Sequence, residues 1–177
     1  NEGVIIAKAA ADAKSGIVVE VNCETDFVAK NADFIAFAES VAEVALANQP
    51  ASLEDLKALE IGGVKIADLL IDQTGKIGEK IDVSKYENIS AEKVVAYIHG
   101  NYRLGVLVGL SADAEGAEEA GKDVAMQIAA MNPVAIDKDG VDSKTIEREL
   151  EIAKEQIRAE GKPEEMVEKI AAGKLNK

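Results

Sequence analysis

Two short segments have the same pattern, Gly16-Ile17-Val18-Val19-Glu20-Val21 in the first half of the chain and Gly105-Val106-Leu107-Val108-Gly109-Leu110 in the second. Each follows another apolar run, residues 3–9 or 93–99, across a short connection that contains polar residues, which is typical of an antiparallel β-hairpin. Each precedes an apolar helical pattern that contains a Val-Ala pair and stops before a proline. This arrangement, present twice, predicts an α+β fold of duplicated antiparallel-hairpin-plus-helix subdomains.

Helices are predicted between the two hairpins. Apolar residues recur at three- and four-residue spacings over residues 31–48, with Asn31 or Asp33 as the N-cap, and this predicts an amphipathic helix. Residues 52–59 open with a capping box and predict a short helix. Residues 64–74 predict another helix.

Two more elements complete this part of the chain. Residues 77–83 predict a glycine-marked turn that leads into an alternating strand. The helix that follows the second hairpin is expected to place Val124, Ile128 and Met131 on its inner face, because these residues recur at helical spacing.

The last part of the chain predicts a helical hairpin. Asp142 or Ser143 caps the first helix, and Gly161 and Pro163 separate it from a second helix that Gly173 is expected to close. Apolar residues at nearly coiled-coil spacing form a narrow seam along the two helices: Ile146, Leu150, Ala153, Ile157, Met166, Val167 and Ile170. We expect a protruding helical coiled-coil arm.

The chain is acidic, with 20 basic and 33 acidic residues and a formal net charge of −13. Such a chain repels phosphates, so direct nucleic-acid binding is not expected, and a partner with a basic surface is favoured. No stretch approaches the roughly 18 apolar residues of a membrane span, and no secretory signal is recognisable. Cys23 is the only cysteine, so no intrachain disulfide can form and a reducing cytosol is expected.

These patterns divide the chain into three predicted parts. Residues 1–91 are expected to form an N-terminal α+β subdomain, residues 92–140 a C-terminal α+β subdomain, and residues 141–177 the arm. Charges balance over residues 143–177, so the whole net charge lies on the preceding body.

Motifs for enzyme chemistry are weak. Gly116-Ala117-Glu118-Glu119-Ala120-Gly121-Lys122-Asp123 nearly matches a phosphate-binding loop, but Asp123 stands where a magnesium-binding Ser or Thr is needed. Cys23, His99 and Asp26 have the residue types of a nucleophilic triad, although a cysteine at an apolar strand end is more often an inert core thiol. One His and one Cys cannot complete a zinc site. We therefore expect no catalytic residues, no metal and no cofactor.

The segment that stands out is Glu20-Val21-Asn22-Cys23-Glu24-Thr25-Asp26-Phe27-Val28-Ala29-Lys30. It joins the end of a strand to the start of a helix and places an aromatic residue beside an acid at a turn. Two interpretations are open. Phe27 either packs under the following helix, or it is an exposed aromatic wedge with a charge beside it, as in a binding hot spot.

This run resembles the signature of the elongation factor Ts family, the guanine-nucleotide exchange factors of elongation factor Tu. Other segments resemble the family in the same order. They are residues 77–81 (Ile77-Gly78-Glu79-Lys80-Ile81), Tyr97-Ile98-His99-Gly100 with residues 103–108, residues 125–133, and residues 161–174. Two positions depart from the family: Lys80 stands where the family has Asn, and Gln127 stands where His is common. The resemblance extends over essentially the whole chain.

The resemblance implies a binding protein with no chemistry of its own. Thr25, Asp26, Phe27 and Val28 would contact elongation factor Tu, with Phe27 as the wedge near its magnesium and phosphate site and Asp26 making polar contacts. Ile77 and Gly78 would pack against the same domain of the partner, and His99 would contact another domain.

The resemblance also implies wider expectations. The arm would grip elongation factor Tu or a second copy of the chain, and the protein would act in the bacterial cytoplasm or in an organellar matrix or stroma. The chain would be a core fragment that lacks the family's N-terminal helical module and C-terminal end, and its C-terminal subdomain, residues 92–140, would be incomplete. The alternative from the residues is a non-catalytic scaffold that binds other proteins through the helical arm.

Overall fold

The computed structural model describes residues 2–175, which form a mixture of helices and antiparallel strands, the predicted α+β class. In chain order the elements are β1 (Glu2–Ala9), β2 (Ser15–Cys23), α1 (Asp26–Ala29), α2 (Ala32–Asn48), α3 (Leu53–Ala58), β3 (Glu60–Ile61), β4 (Val64–Lys65), α4 (Ile66–Ile77), β5 (Asp82–Ser90), β6 (Lys93–His99), β7 (Leu104–Leu110), α5 (Ala117–Met131), a 3₁₀ turn (Lys138–Gly140), α6 (Ser143–Ala159) and α7 (Glu164–Leu175).

Residue contacts divide the chain into two compact units, residues 1–132 and 133–177. Both hairpins lie in the first unit. The finer boundaries predicted after residues 91 and 140 stay predictions. Among the described residues, no helix combines the length and the apolar character that spanning a membrane requires.

The first sheet has the order β1-β2-β5, with both pairs antiparallel. Alternate residues of β2 face the core, so Ile17, Val19 and Val21 are buried while their neighbours are less so. Helix α2 covers this face with Phe34 and a row of small and β-branched residues. The predicted first hairpin and amphipathic helix are therefore confirmed. Asn31 is the N-cap, since its side chain accepts hydrogen bonds from two backbone N–H groups of α2.

The segment between α3 and α4 differs from the prediction. The short helix α3 is capped by Ser52 as expected. However, Val64–Lys65 pairs with Glu60–Ile61 instead of opening the next helix, which begins at Ile66 and continues to Ile77. Gly62 and Gly63 both have positive φ, at 61° and 81°, the conformation that a two-residue hairpin turn requires.

β6 and β7 form a separate two-stranded sheet, which is the predicted second hairpin, and α5 packs against it. The predicted inner face of α5 is wrong in part, because Val124 is 45% exposed and Met131 is 73% exposed. The residues buried on α5 are Gly121 and Ala125. A Cβ atom at Gly121 would lie 2.6 Å from a Val95 methyl, so the helix approaches the sheet through its smallest side chains.

The second unit is a pair of helices, α6 and α7. Asp142 caps α6, and Gly161, with φ of 74°, lies just beyond the end of this helix. The seam contains Ile157, Val167 and Ala171, with Leu150, Ala153 and Ile170 packed beside them. Two details of the prediction are wrong: Met166 is 49% exposed, and Gly173 lies inside α7, which continues to Leu175.

Candidate functional site

A tight turn follows directly from the end of β2. Cys23 is the last strand residue, and the one-turn helix α1 begins three residues later. Thr25 caps α1, because its side-chain oxygen accepts a hydrogen bond from the Val28 N–H at 3.4 Å. The Thr25 carbonyl accepts from the Ala29 N–H at 3.2 Å and from the Cys23 thiol at 3.2 Å. The chain is therefore turned away from the sheet by local hydrogen bonds.

Phe27 is 82% exposed on this turn, whereas Phe34 on α2 is 1% exposed. Val28 and Ala29 pack against the first core in its place. The interpretation that Phe27 packs under the following helix is thus wrong, and the aromatic ring points into solvent. The turn places its small apolar residues inward and its largest apolar residue outward.

Asp26 lies beside this ring and is charged. Its carboxylate accepts a hydrogen bond from the Lys30 ammonium at 2.7 Å, one helical turn away. This hydrogen bond, and then the charge of Lys30, lower the pKa of the Asp26 carboxyl, with a smaller contribution from the charge of Arg103. The residue before Phe27 therefore carries a charge that is held in an ion pair.

Glu79 holds the turn from the opposite part of the sequence. Its carboxylate accepts hydrogen bonds from the N–H groups of Glu24 and Thr25, both at 3.0 Å, and from the Thr25 hydroxyl at 2.6 Å. In return, the Glu24 carboxylate accepts a hydrogen bond from the Lys80 N–H at 3.1 Å. The Thr25 hydroxyl is the main cause that lowers the pKa of Glu79. We call these four residues the carboxylate clamp.

The sequence analysis did not predict the carboxylate clamp. The pairing of β2 with β5, once known, indicates it. β2 and β5 are antiparallel, and Asn22 lies opposite Asp82. Residues just after β2 must therefore meet residues just before β5, which places Glu24 and Thr25 beside Glu79.

Ile77 and Gly78 lie next to the same turn. Gly78, with φ of 80°, ends α4 and donates its N–H to the Thr74 carbonyl at 2.9 Å. Ile77 packs against the first core and, with Val28 and Phe34, lines a groove of about 350 Å³. Six of the seven predicted site residues thus come together: Thr25, Asp26, Phe27, Val28, Ile77 and Gly78.

His99 lies on a different element, at the end of β6. It is exposed, and its Nδ1 atom is 2.9 Å from the Tyr97 hydroxyl. The tip of its hairpin contacts β1, since the Tyr102 carbonyl accepts the Ile5 N–H at 2.8 Å. The same tip carries Arg103, whose charge reaches Asp26. His99 therefore lies on a hairpin whose tip is near the turn, but His99 itself is not part of the turn.

A nucleophilic role for Cys23 does not fit its surroundings, in keeping with the expected inert core thiol. Cys23 is buried, and its thiol donates a hydrogen bond to the Thr25 carbonyl. Burial, and then the charges of Glu79 and Glu2, raise the pKa of this thiol, whereas a nucleophile needs a lowered one. The hydrogen-bond partner of His99 is Tyr97.

The segment that resembles a phosphate-binding loop also has unsuitable surroundings. Gly116 precedes α5 with φ of 79°, and the Lys122 ammonium donates a hydrogen bond to Glu118 at 3.0 Å. The lysine that a phosphate would require is therefore paired with a carboxylate of the same segment. Within residues 2–175, no group of three or more His, Cys, Asp or Glu side chains is arranged to hold a metal ion.

Comparison with known proteins identifies the family. The family model described as "Elongation factor TS" matches residues 24–177. The chain is 52% identical to elongation factor Ts of Cytophaga hutchinsonii and 54% identical to that of Amoebophilus asiaticus, in both cases over 100% of this chain and 64% of the relative. It is 45% identical to elongation factor Ts of Methylobacillus flagellatus over 99% of this chain and 60% of the relative. The chain thus spans about 64% of the length of the first two relatives. It belongs to the elongation factor Ts family.

Proposed function

We propose that this chain binds elongation factor Tu and promotes release of GDP from it in translation elongation, with the Asp26-Phe27 turn inserted near the nucleotide and magnesium site of the partner. The observation that carries the proposal is the 82% exposure of Phe27 on a turn whose backbone is fixed by hydrogen bonds. An exposed, well-positioned aromatic side chain is what an insertion mechanism requires.

The energetics of the wedge call for a wider interface. Burying one Phe side chain stabilises a complex by about 1.5–3 kcal/mol, which is too little to expel a tightly held nucleotide. The remaining free energy would come from contacts of Asp26, of Ile77 and Gly78 beside the turn, and of His99, which would contact another domain of the partner. Because Ile77 lines the groove beside Val28, it would extend the contact around Phe27, together with Gly78, the next residue in the chain.

Nucleotide exchange needs no bond chemistry from this protein. If the chain weakens nucleotide binding by some factor, nucleotide must weaken binding of the chain by the same factor. Abundant GTP would therefore refill the site and release the chain. We propose accordingly that it is an exchange factor without an active site of its own, and that it works in the cytoplasm.

Two finer features of the architecture belong to the same proposal. The hairpins β1-β2 and β6-β7 are each followed by a packed helix, which supports a duplicated subdomain. Helices α6 and α7 would form a coiled-coil arm that contacts elongation factor Tu or a second copy of the chain. The narrow seam around Ile157 and Val167 supports this arrangement of the arm.

Release of a fluorescent GDP analogue from elongation factor Tu tests the function. A sub-stoichiometric amount of the chain should accelerate release, and Phe27→Ala should remove most of the acceleration. Met131→Ala is a matched control, because Met131 is 73% exposed on α5, and its truncation should leave the rate unchanged. Stoichiometric binding without acceleration would favour a scaffold that uses the helical arm, and absence of binding would exclude the proposal for this chain.

A further inference from the structure

Thr25, two residues before Phe27, is held by hydrogen bonds. Its N–H and hydroxyl both donate to Glu79, and its carbonyl accepts from Cys23 and Ala29. All three of its polar groups are therefore engaged. Within the described part of the chain, Glu79 is the hydrogen-bond partner of Thr25 that is distant in sequence, 54 residues away.

The helix that carries Phe27 cannot fix its own orientation. α1 has 4 residues, a single turn, and one helical turn is not stable in isolation. Val28 and Ala29 anchor it by apolar packing, which is not directional. The hydrogen bonds to Glu79 are directional, and they act at the N-cap, two residues before Phe27.

The residue that supplies the carboxylate is itself held. Glu79 follows Gly78, whose left-handed backbone ends α4, and precedes Lys80, whose N–H donates to the Glu24 carboxylate. The clamp is thus reciprocal, because each of the two segments gives backbone N–H groups to a carboxylate of the other. A charged acceptor makes such hydrogen bonds stronger than neutral ones.

We propose that Glu79 is a positioning residue for nucleotide exchange, which fixes the Thr25–Val28 turn before binding so that Phe27 is presented in one orientation. This role rests on the proposed function, since it is the exchange reaction that the fixed orientation would serve. Glu79 acts through Thr25 and Phe27 and needs no contact with the nucleotide.

The first test uses the chain without its partner. Hydrogen exchange of the Glu24 and Thr25 amides is followed by NMR in wild type, Glu79→Ala, Glu79→Gln and the control Glu87→Gln, which changes an exposed glutamate of β5. Protection should be lost in Glu79→Ala and reduced in Glu79→Gln, which keeps one acceptor oxygen. It should be unchanged in Glu87→Gln.

The second test measures the maximal rate of GDP release from elongation factor Tu at saturating concentrations of the same variants. Glu79→Ala should lower this rate roughly 3- to 10-fold, because a loose turn loses conformational freedom when it enters the interface, and Glu79→Gln should lower it less. In a Phe27→Ala background, Glu79→Ala should change the rate by less than about twofold, because the two residues act as one unit.

The outcomes are distinct. Lost amide protection together with a non-additive loss of rate supports the positioning role. Unchanged protection in Glu79→Ala, or a loss of rate that is equally large in the Phe27→Ala background, overturns it. If protection is lost but the wild-type chain does not accelerate release, the proposed function fails and the positioning role fails with it. In that case the loss of amide protection in Glu79→Ala still shows that the clamp forms in the wild-type chain, so the failure lies in the proposed function.

Discussion

Phe27 and Phe34 offer a matched pair of substitutions that tests where the structure places each ring. Phe34 is 1% exposed in the first core, so Phe34→Ala should lower the free energy of unfolding by about 3–5 kcal/mol. That is a large part of the roughly 5–15 kcal/mol that stabilises an ordinary domain. Phe27 is 82% exposed, so Phe27→Ala should change the same quantity by no more than about 0.5 kcal/mol.

Urea unfolding followed by far-ultraviolet circular dichroism measures both changes. Phe34→Leu keeps much of the apolar volume and gives a measurable intermediate value if Phe34→Ala does not fold. A loss of more than about 2 kcal/mol for Phe27→Ala would mean that its ring packs in solution. The exposed wedge, and the mechanism built on it, would then have to be abandoned.

Three further predictions follow from other contacts. The hydroxyl of Thr25 lowers the pKa of Glu79 in the folded state. The stability that the Glu79 carboxylate contributes is therefore present above its ordinary pKa of 4.5 and is lost as the pH falls through the lowered value, which amide protection of the turn measured against pH checks. Gly121→Ala should destabilise the first unit by about 1–3 kcal/mol, because its Cβ would lie 2.6 Å from a Val95 methyl. Gly75→Ala on α4 has open space around its Cβ and should stabilise the protein by about 0.5–1 kcal/mol; thermal unfolding measures both changes. Cys23 should react with a thiol reagent far more slowly in the native protein than in urea, because it is buried.

The sequence predicted the elements in which periodicity is strong. The β-branched apolar run of residues 16–21 corresponds to β2. The helical spacing in residues 31–48 corresponds to α2, because the buried face of this helix determines that spacing. The pair β3-β4 was missed because strands of two residues have no periodicity, and its signal was the Gly62-Gly63 pair alone.

The inner face of α5 shows why apolar spacing alone does not determine packing. Val124 and Met131 are the larger apolar residues, yet the helix approaches its sheet through Gly121 and Ala125. Small side chains allow a closer approach of the backbones, so more contacts form across the rest of the interface. The spacing of apolar residues does not report this choice, which depends on the shape of the opposing surface.

The sequence predicted which residues of the turn belong to the candidate site, but it did not predict the contact with Glu79 that holds the turn in place. The segment of residues 20–30 predicts a turn with an aromatic and an acid, but two environments for Phe27 remained open. The structure distinguishes them because Val28 and Ala29 occupy the position against the core. The family resemblance includes Glu79 in a motif but implies no role for it, because its contact with Thr25 depends on the pairing of β2 with β5 across a long stretch of sequence.

Under the proposed function, a fixed turn would change what Phe27 contributes to binding. A flexible side chain or loop loses conformational freedom when it enters an interface, at a cost of about 0.5–1.5 kcal/mol for each immobilised side chain. For Phe27 the burial term is only about 1.5–3 kcal/mol, so ordering of a loose turn would cancel much of it. The hydrogen bonds from Glu24 and Thr25 to Glu79 order this backbone during folding. Under the proposed function, the burial of Phe27 would then be available in full to compete with the nucleotide, so removing Glu79 should matter only while Phe27 is present.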